Sequence, residues 1–229
     1  MSPIGANLQA IERRISEALQ GDSRAVTLVA VSKSQPAEAI RAAFAAGVRD
    51  FGESYVQEAV GKIGELADIP ARWHFIGHIQ TNKARDIATK FDWVHGIDRL
   101  KVAEALSRAR PEGSRPLQVC VQVNISGEAT KGGVAPGEAG ELARAVAQVP
   151  RLELRGLMGM ASATADVASQ RAQFRLLART RDEIVAQGIA LDTLSMGMSD
   201  DFEAALAEGS TMVRIGTAIF GARKGRKAA

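Results

Sequence analysis

Lys33 is the residue in this sequence best placed to do chemistry. It follows residues 28–31, an apolar and β-branched run that predicts a strand buried on both faces, as in a parallel sheet. Pro36 then predicts the first residue of a helix. Open α/β sheets and barrels collect their functional groups where strands end. Lys33 is therefore a candidate nucleophilic amine, and the alternative is a solvated lysine that only ends a strand.

Two later loops carry the residue types that bind phosphate. Ser195 to Ser199 follow the seventh predicted strand, and Gly216 with Thr217 follows the eighth. Hydroxyls, glycines that allow close backbone approach and free N–H groups are typical of a phosphate site. Barrels often bind phosphate in these two loops. The alternative is a pair of ordinary strand-to-helix turns, with Ser199 as a helix N-cap.

Arg214, at the end of the eighth predicted strand, completes a recognisable set. An amine on one side of a barrel mouth and a phosphate cradle on the other predict a site for pyridoxal 5′-phosphate (PLP), with Lys33 forming a Schiff base with its aldehyde. Arg214 would then face the pyridine nitrogen, and the alternative is an ion pair within the barrel. Because arginine only donates hydrogen bonds, the nitrogen would stay unprotonated and the ring would be a poor electron sink. Carbanion chemistry is then disfavoured.

These groups meet only if the chain between them forms a barrel. Hydrophobic patterning predicts eight strands, at residues 27–32, 50–53, 72–76, 93–95, 117–124, 154–158, 193–195 and 212–215. Helices are predicted between and around them, at residues 7–19, 36–46, 55–66, 82–89, 99–109, 136–148, 167–186 and 200–207, with a short segment at 217–220. This alternation predicts a single α/β domain over residues 1–229, a (β/α)8 TIM barrel whose extra N-terminal helix closes the outer ring. An open doubly wound sheet is disfavoured, because no G-x-G-x-x-G motif follows the first strand.

Composition narrows the function further. The net charge is +3, and much of the excess lies in a basic tail within residues 222–229, which we expect to be frayed. Without the tail the chain is close to neutral, so no basic face indicates nucleic acid. Cys120, the single cysteine, falls in a predicted core strand and is expected to be unreactive. No segment has the length of a membrane span and no secretion signal is visible, which predicts a soluble cytoplasmic protein.

The three histidines raise the alternative of a metal hydrolase. His74 and His78 lie four residues apart, but across a strand and a loop, so they would not share a helix face with each other or with His95. No carboxylate completes such a site, and this alternative is disfavoured.

Taken together, the motifs resemble those of a known family, the pyridoxal phosphate homeostasis proteins. The resemblance covers nearly the whole chain and rests on ordered motifs: AVSK at 30–33, FGESYVQE at 51–58, WHFIGHIQTNK at 73–83, NISGEATKGG at 124–133, GLMGM at 156–160, LSMGMSDD at 194–201 and VRIGTAIFG at 213–221.

The resemblance implies a barrel like the N-terminal domain of alanine racemase, with PLP covalently on Lys33 and Arg214 at the pyridine nitrogen. The implied remaining cofactor contacts are Ser54, Ser195, Met196, Ser199, Gly216 and Thr217. Family members buffer or deliver PLP, so PLP-dependent apo-enzymes are implied partners and robust catalysis is not expected. We also expect a monomer, with no nucleic acid or membrane partner.

Ser54 departs from the family pattern, which usually has asparagine at this position near the cofactor ring. We expect Ser54 to lose a contact or replace it through water, which loosens PLP without abolishing binding. Whether Glu53 or His78 contacts the cofactor stays open, and Lys83 is either a secondary acceptor or a solvated lysine.

The alternative function is a weak amino-acid racemase. It requires a second base on the face opposite the lysine. Tyr55, the one tyrosine, lies at a predicted helix start and is expected to pack rather than act as a base.

Overall fold

The computed structural model describes residues 2–221, and its centre is a closed parallel barrel in which each strand pairs with the next and the eighth pairs with the first. The strands are β1 (Thr27–Val31), β2 (Asp50–Glu53), β3 (Arg72–Phe75), β4 (Trp93–Ile97), β5 (Leu117–Val123), β6 (Leu152–Gly159), β7 (Thr193–Ser195) and β8 (Met212–Ile215). The predicted (β/α)8 fold is confirmed. The basic tail lies outside the described residues.

Helices surround the barrel. They are α1 (Pro3–Leu19), α2 (Ala37–Ala45), α3 (Val56–Glu65), α4 (Ala84–Lys90), α5 (Leu100–Ala109), α6 (Ala139–Ala147), α7 (Val167–Ala186), α8 (Phe202–Ala207) and α9 (Thr217–Phe220). Short 3-10 turns at Thr81–Lys83 and Pro136–Glu138 lead into α4 and α6. None of the described helices is long and apolar enough to cross a membrane.

The extra helix α1 closes the outer ring, as the sequence predicts. Ser2 caps it by accepting a hydrogen bond from the Gly5 amide at 3.2 Å, which lets the helix begin four residues earlier than expected. Its buried residues include Leu8 and Ile11, and it packs against α2, α8 and α9. The side-chain amide of Asn7 donates to the carbonyl of Ile219 at 2.9 Å, tying the two ends of the described chain together.

Strand alternation decides what lies inside the barrel and what lies outside it. Successive side chains of a strand point to opposite faces, so Asp50 and Gly52 of β2 face the barrel interior whereas Glu53 faces the helices.

Cys120 of β5 is fully buried, and burial raises the pKa of its thiol to about 12, as expected for an inert cysteine.

One prediction and one alternative about helix starts were wrong. Pro36 is the N-cap of α2 rather than its first helical residue. Ser199 is not an N-cap, because α8 begins at Phe202 and its N-cap residue is Asp201. The carboxylate of Asp201 instead accepts from the Met198 amide at 2.5 Å, so it shapes the loop before α8 and leaves Ser199 at the barrel mouth.

Candidate functional site

A cavity of about 340 Å³ opens at the carboxyl mouth of the barrel, within the size range of small-molecule sites. Its walls include six of the eight residues predicted to bind a cofactor, namely Lys33, Ser54, Ser199, Arg214, Gly216 and Thr217. These come from four separate strand ends, so the fold assembles them from positions more than 180 residues apart. The rest of the lining is Val31, Gln35, Ile76, Met158, Met160, Met198, Asp200 and Gly221.

A tight turn directly after β1 presents Lys33 to the cavity. The Gln35 amide donates to the Ser32 carbonyl at 3.0 Å, and Ser34 adopts a left-handed conformation with φ of 62°. The Ser34 amide in turn donates to Glu58 Oε1 of α3 at 2.5 Å. The turn is therefore bonded to the outer helix layer, which fixes the backbone that carries Lys33.

A buried polar network lies behind this turn, between the barrel wall and α3; we call it the outer network. Lys62 Nζ donates to the Ser32 carbonyl at 2.7 Å, to Glu53 Oε1 at 2.9 Å and to Glu58 Oε1 at 2.5 Å. The Ser32 hydroxyl also donates to Glu53 Oε1, at 2.6 Å.

Within the outer network, Glu53 is fully buried, and burial raises the pKa of its carboxyl despite the neighbouring Lys62. Glu53 Oε2 has no hydrogen-bond partner among residues 2–221. Glu53 is not part of the cavity wall, so nothing in the cavity supports the contact with a cofactor that the sequence left open. Its position supports the turn instead.

Arg214 is held from behind while it forms part of the cavity wall. One terminal nitrogen of its guanidinium donates to both the carbonyl and the hydroxyl of Ser195, each at 2.6 Å, and the other donates to the Gly159 carbonyl at 3.1 Å. Burial lowers the pKa of Arg214 to about 10, so the group keeps its charge at neutral pH. Arg214 is therefore not fixed by an ion pair, the alternative that the sequence left open, because the hydrogen bonds of its guanidinium within the described residues go to carbonyls and a hydroxyl.

Ser195 and Met196 are placed differently from expectation. Both are fully buried and neither contributes to the cavity wall. The Ser195 hydroxyl points into the barrel, where it meets Arg214 and His95. A direct contact between these two side chains and a phosphate therefore lacks support, and of the predicted phosphate-binding residues only Ser199, Gly216 and Thr217 contribute to the cavity wall.

The loop after β7 needs a glycine to reach this geometry. Gly197 has φ of 95°, and a Cβ there would lie 2.7 Å from the Cβ of Ala205. Its carbonyl accepts from the Arg214 amide at 2.9 Å, which extends the pairing with β8 beyond the last residue of β7. The loop that carries Ser199 is thereby bound to the strand that carries Arg214.

A second cavity, of about 330 Å³, adjoins the first and shares Ser54 with it. Tyr55, His78 and Lys83 contribute to its wall, so none of these three belongs to the cavity that contains Lys33. The expectation that Tyr55 packs rather than acts as a base was wrong about its packing, because the residue is 50% exposed. Its position beside the neighbouring cavity does not supply a base opposite Lys33.

The barrel interior contains a chain of hydrogen bonds that the sequence analysis did not anticipate. His95 Nδ1 lies 2.8 Å from Ser195 Oγ, His95 Nε2 lies 3.0 Å from His74 Nδ1, and His74 Nε2 lies 2.9 Å from Asp50 Oδ1. Both imidazoles are fully buried, and burial lowers their pKa values, so both rings are neutral at pH 7. The available signal was the presence of polar residues in otherwise apolar strands.

A metal site is not formed by the three histidines. Each ring nitrogen of His74 and His95 is already engaged within the barrel, and His78 lies apart at the second cavity. No group of three or more potential metal ligands occurs among residues 2–221.

Comparison with known proteins agrees with this geometry. Residues 6–224 match the family described as alanine racemase, N-terminal domain. The pyridoxal phosphate homeostasis protein of Pseudomonas aeruginosa is 57% identical over 226 residues, covering 97% of each chain. The protein of the same name from Escherichia coli is 49% identical over 229 residues, covering 97% of this chain and 98% of its own.

Solved structures extend the likeness to three dimensions. PipY of Synechococcus elongatus, in a structure with PLP bound, superposes with a TM-score of 0.84 at 37% identity, covering 95% of this chain and all of PipY. Alanine racemase of Corynebacterium glutamicum superposes with a TM-score of 0.73 at 17% identity, covering 99% of this chain and 63% of the racemase, and this likeness shows the barrel fold alone. The chain belongs to the alanine racemase N-terminal-domain family and, within it, to the pyridoxal phosphate homeostasis proteins.

Proposed function

We propose that this protein, as a single barrel domain, binds PLP covalently through a Schiff base on Lys33 and serves PLP homeostasis as a cofactor buffer and carrier. The observation that carries the proposal is the cavity that brings Lys33 and Arg214 together with Ser199, Gly216 and Thr217. The PipY structure that contains PLP, and the shared names of the relatives, support it.

The donor groups of the cavity match the chemical parts of PLP. Lys33 offers a primary amine to the aldehyde, and Arg214 offers a cationic donor to the pyridine nitrogen. The Ser199 and Thr217 hydroxyls, with the backbone at Gly216, offer donors to the phosphate. A Cβ at position 216 would lie 3.2 Å from the Val31 carbonyl, so glycine is what lets this loop approach β1 so closely.

The covalent step needs no co-reactant. The Lys33 nitrogen forms a C=N bond to the aldehyde carbon of PLP, and the aldehyde oxygen leaves as water. The step is reversible by hydrolysis, which suits a protein that must release its cofactor again. We propose PLP-dependent apo-enzymes as the recipients and a monomer as the carrying form.

Two features favour a carrier over an enzyme. When bound, PLP supplies an electron-accepting ring, but the charged Arg214 donates a hydrogen bond to the ring nitrogen and leaves it unprotonated, which weakens that acceptance. Racemisation needs a second base opposite Lys33, and the candidate for that role, Tyr55, lies at the neighbouring cavity instead. A weak racemase is the second candidate, because residues 6–224 match the family described as alanine racemase, N-terminal domain.

The test is an absorbance titration with PLP of the wild-type protein beside two matched variants, Lys33→Ala and Lys83→Ala. We expect an imine band near ~420 nm in the wild type and in Lys83→Ala but not in Lys33→Ala. A band retained in Lys33→Ala would overturn the assignment of the lysine. Loss of the band in Lys83→Ala as well would show that the second cavity takes part.

Two further assays separate carrier from enzyme. Incubation of the PLP-loaded protein with a PLP-dependent apo-enzyme should restore activity of that enzyme, and incubation with L-alanine should yield no D-alanine above the free-PLP background. Racemisation at enzymatic rates would favour the second candidate.

A further inference from the structure

A continuous chain of four hydrogen bonds runs down the barrel interior from the arginine of the cavity wall. It passes from Arg214 to Ser195, then to His95, His74 and Asp50, with donor–acceptor distances of 2.6, 2.8, 3.0 and 2.9 Å. Every residue in it is at most 5% exposed. Asp50 is the first residue of β2 and Ser195 is the last of β7, so the chain spans the barrel from its amino mouth to its carboxyl mouth.

The carboxylate end of the chain and the neutrality of both imidazoles fix the direction of every bond in it. Ionised Asp50 can only accept, so His74 donates from Nε2, and because a neutral ring has one N–H, His74 Nδ1 must accept from His95 Nε2–H. His95 Nδ1 then accepts from the Ser195 hydroxyl, whose oxygen accepts from Arg214, a group that can only donate. Both histidines are therefore Nε2–H tautomers, and all four bonds point from Arg214 toward Asp50.

Neighbouring groups hold the far end in place. Arg72 donates to Asp50 Oδ2 at 2.6 Å, which keeps the carboxylate ionised and oriented and contributes to the lowered pKa of Asp50. The His74 ring stacks on Trp93, with ring centroids 5.5 Å apart and planes 9° apart. These contacts leave the imidazole a single orientation, and that orientation is transmitted along the chain.

We propose that Ser195, His95, His74 and Asp50 are positioning residues that set the orientation of the Arg214 guanidinium and thereby its hydrogen bond to the cofactor. The Ser195 hydroxyl is the only member that touches Arg214, and the other three act through it. Without the chain, Ser195 Oγ can turn its proton toward other acceptors, and the guanidinium loses one of the contacts that hold it in the cavity wall. The effect on the cofactor rests on the proposed function, whereas the direction of the chain does not.

The direction of the hydrogen bonds can be tested in the ligand-free protein, because the whole sequence has only three histidines. Nitrogen-15 and proton NMR of labelled protein distinguishes the two neutral tautomers and the imidazolium. We expect His74 and His95 both as Nε2–H tautomers whose ring protons resist solvent exchange, with His78, which is exposed, exchanging fast. An Nδ1–H tautomer or a charged ring at either buried position would overturn the proposal.

The effect on the cofactor can be tested with two substitutions of the same residue. His95→Leu keeps bulk but removes both bonds, and His95→Gln retains one acceptor and one donor. We expect the Kd for PLP to rise about tenfold in His95→Leu, with a shifted nitrogen-15 resonance of the bound pyridine, and both readouts to return close to wild type in His95→Gln. His78→Ala, outside the chain, is the control and should leave both unchanged.

The outcomes separate the two proposals. Equal defects in His95→Gln and His95→Leu, or no defect in either, would overturn the positioning role. If the wild type fails to bind PLP while His74 and His95 are both Nε2–H tautomers, the proposed function is wrong and the assigned direction of the hydrogen-bond chain still holds. If His95→Leu does not fold, the tautomers of the wild type and the His95→Gln titration decide.

Discussion

Two buried polar networks support opposite sides of the same cavity, and they are built on different principles. The outer network lies between the barrel wall and α3, behind Lys33, and is ionic: Lys62 bonds to two carboxylates and a carbonyl. The inner chain runs through the barrel behind Arg214, and its two central members are neutral imidazoles.

The difference matches what each side must hold. Lys33 sits on a backbone turn, so anchoring that turn with strong, non-directional charge attraction is sufficient. Arg214 must keep a planar group at a fixed angle, and a chain of directional hydrogen bonds does this where a charge alone would not. The cost of the outer network is the buried carboxyl of Glu53, whose pKa is raised and whose Oε2 has no hydrogen-bond partner within residues 2–221.

The largest expected effect is loss of the cation of the outer network. Lys62→Met leaves Glu53 and Glu58 close together without the ammonium between them, so we expect the free energy of unfolding to fall by about 3 kcal/mol. Urea denaturation measures it. The matched double variant Lys62→Met/Glu53→Gln should recover part of the loss, because it removes the buried charge that was left behind. No recovery would mean that Lys62 acts through packing alone.

The two networks should respond to pH with opposite sign. The lowered pKa values of His74 and His95 give stability that is fully present above the pKa of unfolded histidine, about 6.5, and is lost as pH falls below it. The raised pKa of Glu53 gives stability that is fully present below the pKa of an unfolded glutamate, about 4.3, and is lost as pH rises through the folded value.

Single substitutions separate these two contributions. Urea denaturation between pH 7 and pH 4 should show a shallower loss of stability on acidification for His95→Gln than for the wild type. For Glu53→Gln the same experiment should show a steeper loss, since the compensating gain is removed. Identical profiles for all three proteins would contradict the assignment of either network.

Ser54, next to Glu53 at the end of β2, tests whether the outer side also positions a contact to the cofactor. We expect Ser54→Asn to lower the Kd for PLP by roughly threefold, as one modest hydrogen bond would. Fluorescence titration beside Thr81→Asn, a polar-to-asparagine change at a position outside the cavity wall, measures it. Equal or weaker binding by Ser54→Asn would show that serine already satisfies this site.

The smallest expected effect lies at the far end of the inner chain. The Arg72 side chain is 60% exposed, so its ion pair with Asp50 is screened by solvent. Arg72→Ala should lower the free energy of unfolding by only about 0.5 kcal/mol and raise the Kd for PLP much less than His95→Leu does. A loss of PLP affinity as large as that of His95→Leu would extend the inner chain to Arg72.

The sequence was sufficient for the parts of the site that depend on strand ends. Lys33 and Arg214 each end a recognisable strand, and parallel strands bring their carboxyl ends to one mouth. The role of Ser195 was not predictable in this way, because its side-chain direction depends on the barrel register, and a serine before a Gly-containing loop suits a phosphate as well as an interior bond. Asp50, His74 and His95 come from three strands whose inward faces are defined only once the barrel closes.

Tyr55 and Ser199 illustrate a different limit. Both lie at predicted helix starts, where boundaries shift by a residue or two. The start of α8 three residues after Ser199 rules out the alternative of a cap and leaves Ser199 in the cavity wall, and Tyr55, just ahead of α3, is exposed rather than packed.

The most direct test of the account is to trap the cofactor chemically. Borohydride reduction of the PLP-loaded protein, followed by proteolysis and mass spectrometry, should place one pyridoxyl phosphate adduct on Lys33 at near-stoichiometric yield and none on Lys83. An adduct distributed over surface lysines, or located at Lys83 with Lys33 unmodified, would contradict the assignment of the cofactor to the turn after β1.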